Sequence, residues 1–202
     1  MIDIRYFLER QNAGRKRVAG RKRVNDPPNE STPSLATSTG RTTVSKAGER
    51  AVLDALGPKI EPLTSMEEKS YCVLKGTIPP GVSVPLHSHS DAESFYVLSG
   101  EAQVLVQSED GLDWQTLKPG DFVQIPGDAK HAWRNISDQP MEALITTTPK
   151  LGNALREMSE PAHGRDQGSP GPEAMERLAE ITERYGYWMA SPSENAELGI
   201  SL

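Results

Sequence analysis

Three histidines and one glutamate in this chain fall at spacings that suit a divalent metal ion. The first group reads His87-Ser88-His89, three residues, then Glu93, with Gly81 before it and Gly100 after it. Side chains alternate along a strand, so His87 and His89 share a face, and the next strand can bring Glu93 opposite them. A second segment runs from Gly120 through Pro126 to Asn135 and supplies His131. Neutral imidazoles and a carboxylate on one wall are what a borderline divalent ion takes as ligands. Without an ion, three imidazoles aimed at one point would repel when charged and would lack partners when neutral. The expected cofactor is therefore one divalent transition metal ion, Fe, Mn, Ni, Co or Zn, held by His87, His89, Glu93 and His131 with open positions left for a small molecule. Glu93 is the expected catalytic residue of the set, as a fourth ligand or as a base released from the ion. His163, the remaining histidine, lies in a polar stretch and is read as solvent-exposed.

Strands must position these groups, and the sequence is rich in them. Residues 70–78, 82–86, 93–98, 102–107, 114–117, 122–125, 131–135 and 141–148 are short, β-rich runs separated by turn residues such as Pro79-Pro80-Gly81, Ser99-Gly100 and Lys118-Pro119-Gly120. Eight such strands at close spacing predict an all-β sandwich or barrel. Ser45 is placed to cap a short leading helix over 47–56, stopped by Gly57-Pro58. A second helix is expected from Pro172 to Tyr185, where Met175, Leu178, Ile181 and Tyr185 recur on one face before Gly186.

The two segments GVSVPLHSHSDAESFYVLSG and GDFVQIPGDAKHAWRN resemble the paired signature motifs of the cupin superfamily, and the likeness extends over about residues 70 to 148. The resemblance implies a double-stranded β-helix, the jelly-roll cupin barrel, with flanking α-helices. Asp128 stands where the family usually has glycine, and aspartate tolerates the left-handed region better than most residues. The layout of one barrel followed by helices is similar to bacterial quercetin-dioxygenase-like cupins, which implies a metal-dependent dioxygenase. Two other readings use the same ion: non-oxidative isomerase, decarboxylase or hydrolase chemistry, and a non-catalytic ligand-binding or regulatory cupin. Strand alternation puts Phe95 and Val97 on the face of Glu93, and Trp133 and Asn135 on the face of His131, so these four are the expected substrate-binding residues. The expected partner is a small apolar or aromatic molecule bearing an oxygen donor.

The remaining composition sets the surroundings. The 202 residues suit one barrel, read here as 45–150, with a tail over 1–44 and a C-terminal helical extension over 151–202. Residues 1–50 hold 11 Lys/Arg and 5 Asp/Glu, a balance of +6, which leaves −12 for the rest of the net −6. The basic pentapeptide Gly-Arg-Lys-Arg-Val occurs at 14–18 and again at 20–24. Its Pro/Ser/Thr-rich sequel, poor in apolar residues, favours a disordered solubilising tail over a nucleic-acid arm. No apolar run is long enough for a membrane span, and the cytoplasm is the expected compartment. Cys72 lies in an apolar run and reads as a buried packing thiol. The apolar 70–78 segment and the stripe of the 172–185 helix are more than one small barrel is expected to cover, which predicts a homodimer through those surfaces.

Overall fold

A computed structural model describes residues 42–65, 68–109, 111–162 and 172–200. The expectations for the 1–44 tail and for His163 lie almost wholly outside these residues. Two antiparallel sheets face each other. Strands β1 (Leu53–Asp54), β2 (Lys59–Pro62), β3 (Cys72–Ile78), β5 (Glu93–Ser99), β8 (Phe122–Ile125), β10 (Met141–Thr147) and β11 (Glu160–Pro161) form the first, in the order β11-β1-β2-β3-β10-β5-β8. Strands β4 (Ser83–Ser88), β6 (Ala102–Ser108), β7 (Gly111–Leu117), β9 (His131–Arg134) and β12 (Trp188–Met189) form the second, in the order β12-β4-β9-β6-β7. This is the all-β barrel that the eight expected strands required, and each of the eight is found.

Period-two patterning holds the barrel together. Along β3 buried and half-buried residues alternate without a break, and Cys72, Leu74 and Ile78 point inward. They meet Phe95 and Val97 of β5, Met141, Ala143 and Ile145 of β10, Ala102 and Val104 of β6 and Trp133 of β9 in one core. Each fully buried side chain of this size contributes about 1.5–3 kcal/mol by leaving water. The outer face of the second sheet is covered as well. Leu86, Leu105 and Ala132 pack there with Trp114, Trp188, Leu198 and Ile200, the last three from the C-terminal segment.

Helices follow the barrel. Helix α1 (Pro149–Met158) begins at Thr148, whose hydroxyl accepts from the Leu151 N–H, with Pro149 in the first turn. It lies across the end of β3 at Gly152, where a Cβ would meet the Cys72 sulfur at 2.4 Å. Cys72 is buried, as a packing thiol should be. Helix α2 (Pro172–Tyr185) coincides with the expected helix, and a short α3 (Pro192–Glu197) is closed by a capping box between Ser191 and Glu194. No described helix is long and apolar enough to cross a membrane.

Two expectations need correcting. The leading helix over 47–56 is absent: Leu53 and Asp54 pair instead with Ile60 and Lys59 of β2 and with Pro161 and Glu160 of β11. Asp54 receives the Gly57 N–H at 2.8 Å and Leu56 sits at φ 61, so the chain makes a tight turn where a helix would need continued right-handed residues. The C-terminal segment is also not purely helical, because β12 joins the second sheet alongside β4.

Candidate metal centre

The ligand candidates come from both sheets. His87, on β4, lies directly opposite His131 on β9 in the strand register, and their ring centroids are 4.1 Å apart. His89 follows in the turn after β4, with its ring 5.1 Å from that of His131. Glu93 opens β5 in the facing sheet, paired with Thr147 and Ile125. Ring nitrogens of the three histidines all lie within 4.8 Å of one another. Glu93 Oε1 is 2.8 Å from His131 Nε2 and 3.5 Å from His89 Nε2. His89, Glu93 and His131 are buried and His87 is half-buried.

Backbone carbonyls fix the tautomers. His87 Nδ1 is 2.8 Å from the Pro85 oxygen, His89 Nδ1 is 2.8 Å from the Asp91 oxygen, and His131 Nδ1 is 2.9 Å from the Ala129 oxygen. A carbonyl oxygen only accepts, so each Nδ1 carries a hydrogen, and a ring in its neutral form turns the lone pair of Nε2 inward. Oxygen and nitrogen lone pairs then face one another across a buried space. His131 Nε2 has no hydrogen-bond partner despite its 2.8 Å contact with Glu93, because the contact lacks hydrogen-bond geometry. That orphaned atom, three imidazoles and one carboxylate fit a divalent ion, with every Nδ1–H held as such sites hold it.

Electrostatics agree. Burial would raise the Glu93 carboxyl, but the imidazoles of His131 and His89 beside it outweigh that and hold the group well below the usual carboxylate range. Burial also opposes a charge on His89, yet Glu93 outweighs that and raises its pKa. His87 is pushed down to about 3 by burial and then by His131, so it stays neutral. The centre attracts positive charge and keeps His87 uncharged, with its Nε2 lone pair free.

Loop geometry near His131 survives the departure at Asp128. Asp128 occupies the left-handed region at φ 67, and its N–H donates to the His89 oxygen at 2.7 Å. Beside it, a Cβ on Gly127 would come within 2.4 Å of the Ser90 oxygen, so only glycine lets the two motif loops touch.

The four expected substrate residues separate into two pairs. Phe95 and Trp133 stack at 4.6 Å inside the barrel, on the faces of Glu93 and His131. Val97 lies deeper and is fully packed in the core. Asn135 is corrected out of the set. Its side-chain amide donates to the Ile78 and Gln139 oxygens, and its oxygen accepts from Ser137, which uses the whole group to tie the β9–β10 loop to β3.

A second polar cluster, behind His89, was not foreseen from the sequence. Asp91 is buried; its Oδ1 accepts from the Thr148 hydroxyl at 2.5 Å and its Oδ2 from the Tyr187 hydroxyl at 3.0 Å. Lys150 Nζ is 3.6 Å away. The Tyr187 ring lies 5.3 Å from that of His89, and burial followed by the bond to Asp91 raises the phenol's pKa. An acid preceding a Thr-Pro helix start by many residues gives no local sequence signal.

Comparison with known proteins places this geometry. Residues 74–147 match the Cupin_2 family, described as Cupin domain. Dimethylsulfoniopropionate lyase DddQ of Ruegeria pomeroyi is 37% identical over 68 residues, which span 34% of this chain and 32% of the lyase. The chain thus covers about a third of that curated relative. The crystal structure of the same lyase aligns over 40% of this chain and 39% of its own at 31% identity and a TM-score of 0.36. An RmlC-like cupin from Shewanella frigidimarina aligns over 54% of this chain and 92% of its own, with 20% identity and a TM-score of 0.46. The family match and the two-sheet barrel identify residues 74–147 as a cupin domain.

Proposed function

We propose that this cupin binds one divalent transition metal ion through His87, His89, Glu93 and His131 and acts on a small oxygen-bearing molecule. The observation that carries the reading is the set of three Nδ1–carbonyl contacts, which turns three Nε2 lone pairs onto one point beside Glu93. When bound, the ion supplies Lewis-acid chemistry, polarising a substrate oxygen. The chain's own residues bind, exclude water and hold protons. Glu93 stays ionised, buried between His89 and His131, and is the base available inside the barrel. Phe95 and Trp133 line the same interior and bring apolar surface to the substrate.

Non-oxidative elimination or decarboxylation is the first reaction class. The 37% identical segment shared with a dimethylsulfoniopropionate lyase supports it, and implies a small carboxylate as substrate. A metal-dependent dioxygenase is the second, supported by the same ligand set with open positions for substrate and oxygen. Metal analysis of the purified protein is the first test, and absence of bound transition metal from protein and from reconstituted protein would overturn the proposal. Assays on dimethylsulfoniopropionate, other small carboxylates, flavonols and β-diketones, with and without oxygen, then divide the classes. Turnover under anaerobic conditions is the expected result, and turnover with stoichiometric oxygen uptake would replace the first class by the second.

Assembly as a homodimer is part of the proposal. Tyr96 and Phe122, paired between β5 and β8, are exposed, as is Leu98 two positions along β5. Apolar side chains on a sheet's outer face suit an isologous contact. Light scattering should give twice the 22.1 kDa chain mass, and a monomer at micromolar concentration would remove the dimer.

A further inference from the structure

Trp133 Nε1 is buried and has no hydrogen-bond partner, and among the described residues it shares that condition only with His131 Nε2. The two residues lie on the same face of β9, two positions apart, about 7 Å along the strand. One orphan is an acceptor and the other a donor. Strand alternation turns both into the space between the sheets, where Trp133 is 3% exposed and its ring is held against Phe95 at 4.6 Å. A buried indole N–H without a partner costs about 1–3 kcal/mol, so the position calls for an acceptor that the chain does not supply. The other two tryptophans are placed differently. Trp114 donates to the Leu198 oxygen, and both Trp114 and Trp188 carry a cationic side chain over the ring on the outer side of the second sheet.

We propose that Trp133 Nε1 donates a hydrogen bond to the carboxylate of a small acid bound inside the barrel, making Trp133 a specificity-determining residue of the site. This rests on the metal-centre reading above, since the ligand sits between the His131 and Trp133 orphans. A ligand among side chains this buried is a short carboxylic acid of a few heavy atoms, not a sugar or a nucleotide. Phe95 fixes the indole plane, so the donor is oriented before the ligand arrives and the bond costs little ordering.

Propionate is the probe, added to zinc-loaded protein labelled with nitrogen-15 at the indoles. Three indole signals are expected from the three tryptophans, and the one lost in Trp133→Phe is assigned to Trp133. During the propionate titration that signal should move downfield and saturate while the other two stay in place. Calorimetry should show the propionate affinity of Trp133→Phe lowered about tenfold or more, with zinc content equal to the parent's. An unmoved Trp133 signal in the zinc-loaded parent overturns the inference and leaves the metal reading standing, even where the variant does not fold. Equal propionate affinity in a folded variant does the same. A parent protein that takes up no zinc overturns both.

Discussion

Two buried polar clusters lie back to back in this protein, and His89 touches both. In the Asp91 cluster every acceptor faces a donor: one carboxylate oxygen takes the Thr148 hydroxyl, the other takes the Tyr187 hydroxyl, and the Asp91 carbonyl takes His89 Nδ1–H. In the histidine cluster the inward atoms are three Nε2 lone pairs and a carboxylate, acceptors facing acceptors. A buried polar group is tolerable when paired and expensive when not. The first cluster is therefore complete within the chain. The second lacks a donor of its own, and the proposed ion would complete it.

Substitutions should separate the two clusters, and the largest effect belongs to the incomplete one. His131→Ala removes an inner ligand and should lose most bound metal, read by elemental analysis. In excess metal its stability should fall by about 4 kcal/mol relative to the parent where free ion exceeds the Kd a thousandfold, and a chelator should then lower the parent's Tm but not the variant's. Full metal retention would erase the distinction drawn between the clusters. Asp91→Ala leaves the Thr148 and Tyr187 hydroxyls unpaired and should cost about 2–3 kcal/mol in urea denaturation. Its metal content should stay near the parent's, because the backbone carbonyl that orients His89 remains. Metal loss comparable to that of His131→Ala would show that the clusters are one unit. Tyr187→Phe deletes a single donor while Thr148 still holds Asp91, and should cost about 1 kcal/mol with metal content unchanged. A cost above that of Asp91→Ala would break the picture of one carboxylate holding two independent donors.

Local patterning made the metal cluster readable and left the Asp91 cluster hidden. His87, His89 and Glu93 lie within one strand, its turn and the next strand, so alternation alone predicts their meeting, and the second motif adds His131. Asp91 and Tyr187 are 96 residues apart in the sequence, with most of the barrel strands between them, a proximity that no periodicity encodes. Helix α1 is a different case. Thr148-Pro149 is a cap and first-turn signal, and Leu151, Ala154, Leu155 and Met158 have helical spacing, so the element was legible but was overshadowed by the strand pattern running up to Thr148. The mistaken helix at 47–56 erred the other way, because local capping signals there yield to pairing with β2 and β11, partners that only the folded chain supplies. Asn135 shows the limit of face assignment. Alternation gave its strand and side, while its role depends on Ile78 and Gln139 oxygens outside the strand.

Strand β12 has a consequence for how the protein is made. Trp188 and Met189 pair with Ser88 and His87, the Ala190 N–H donates to the Leu86 oxygen, and Asn195 accepts the Leu86 N–H. The outer edge of the histidine strand thus stays bare on a ribosome until the last part of this sequence has emerged. Closing so long a loop is entropically slow compared with forming the hairpins inside the barrel. Nascent chains should carry a barrel with an open β4 edge, exposed to neighbouring strands, and metal capture should mature only after synthesis passes Asn195.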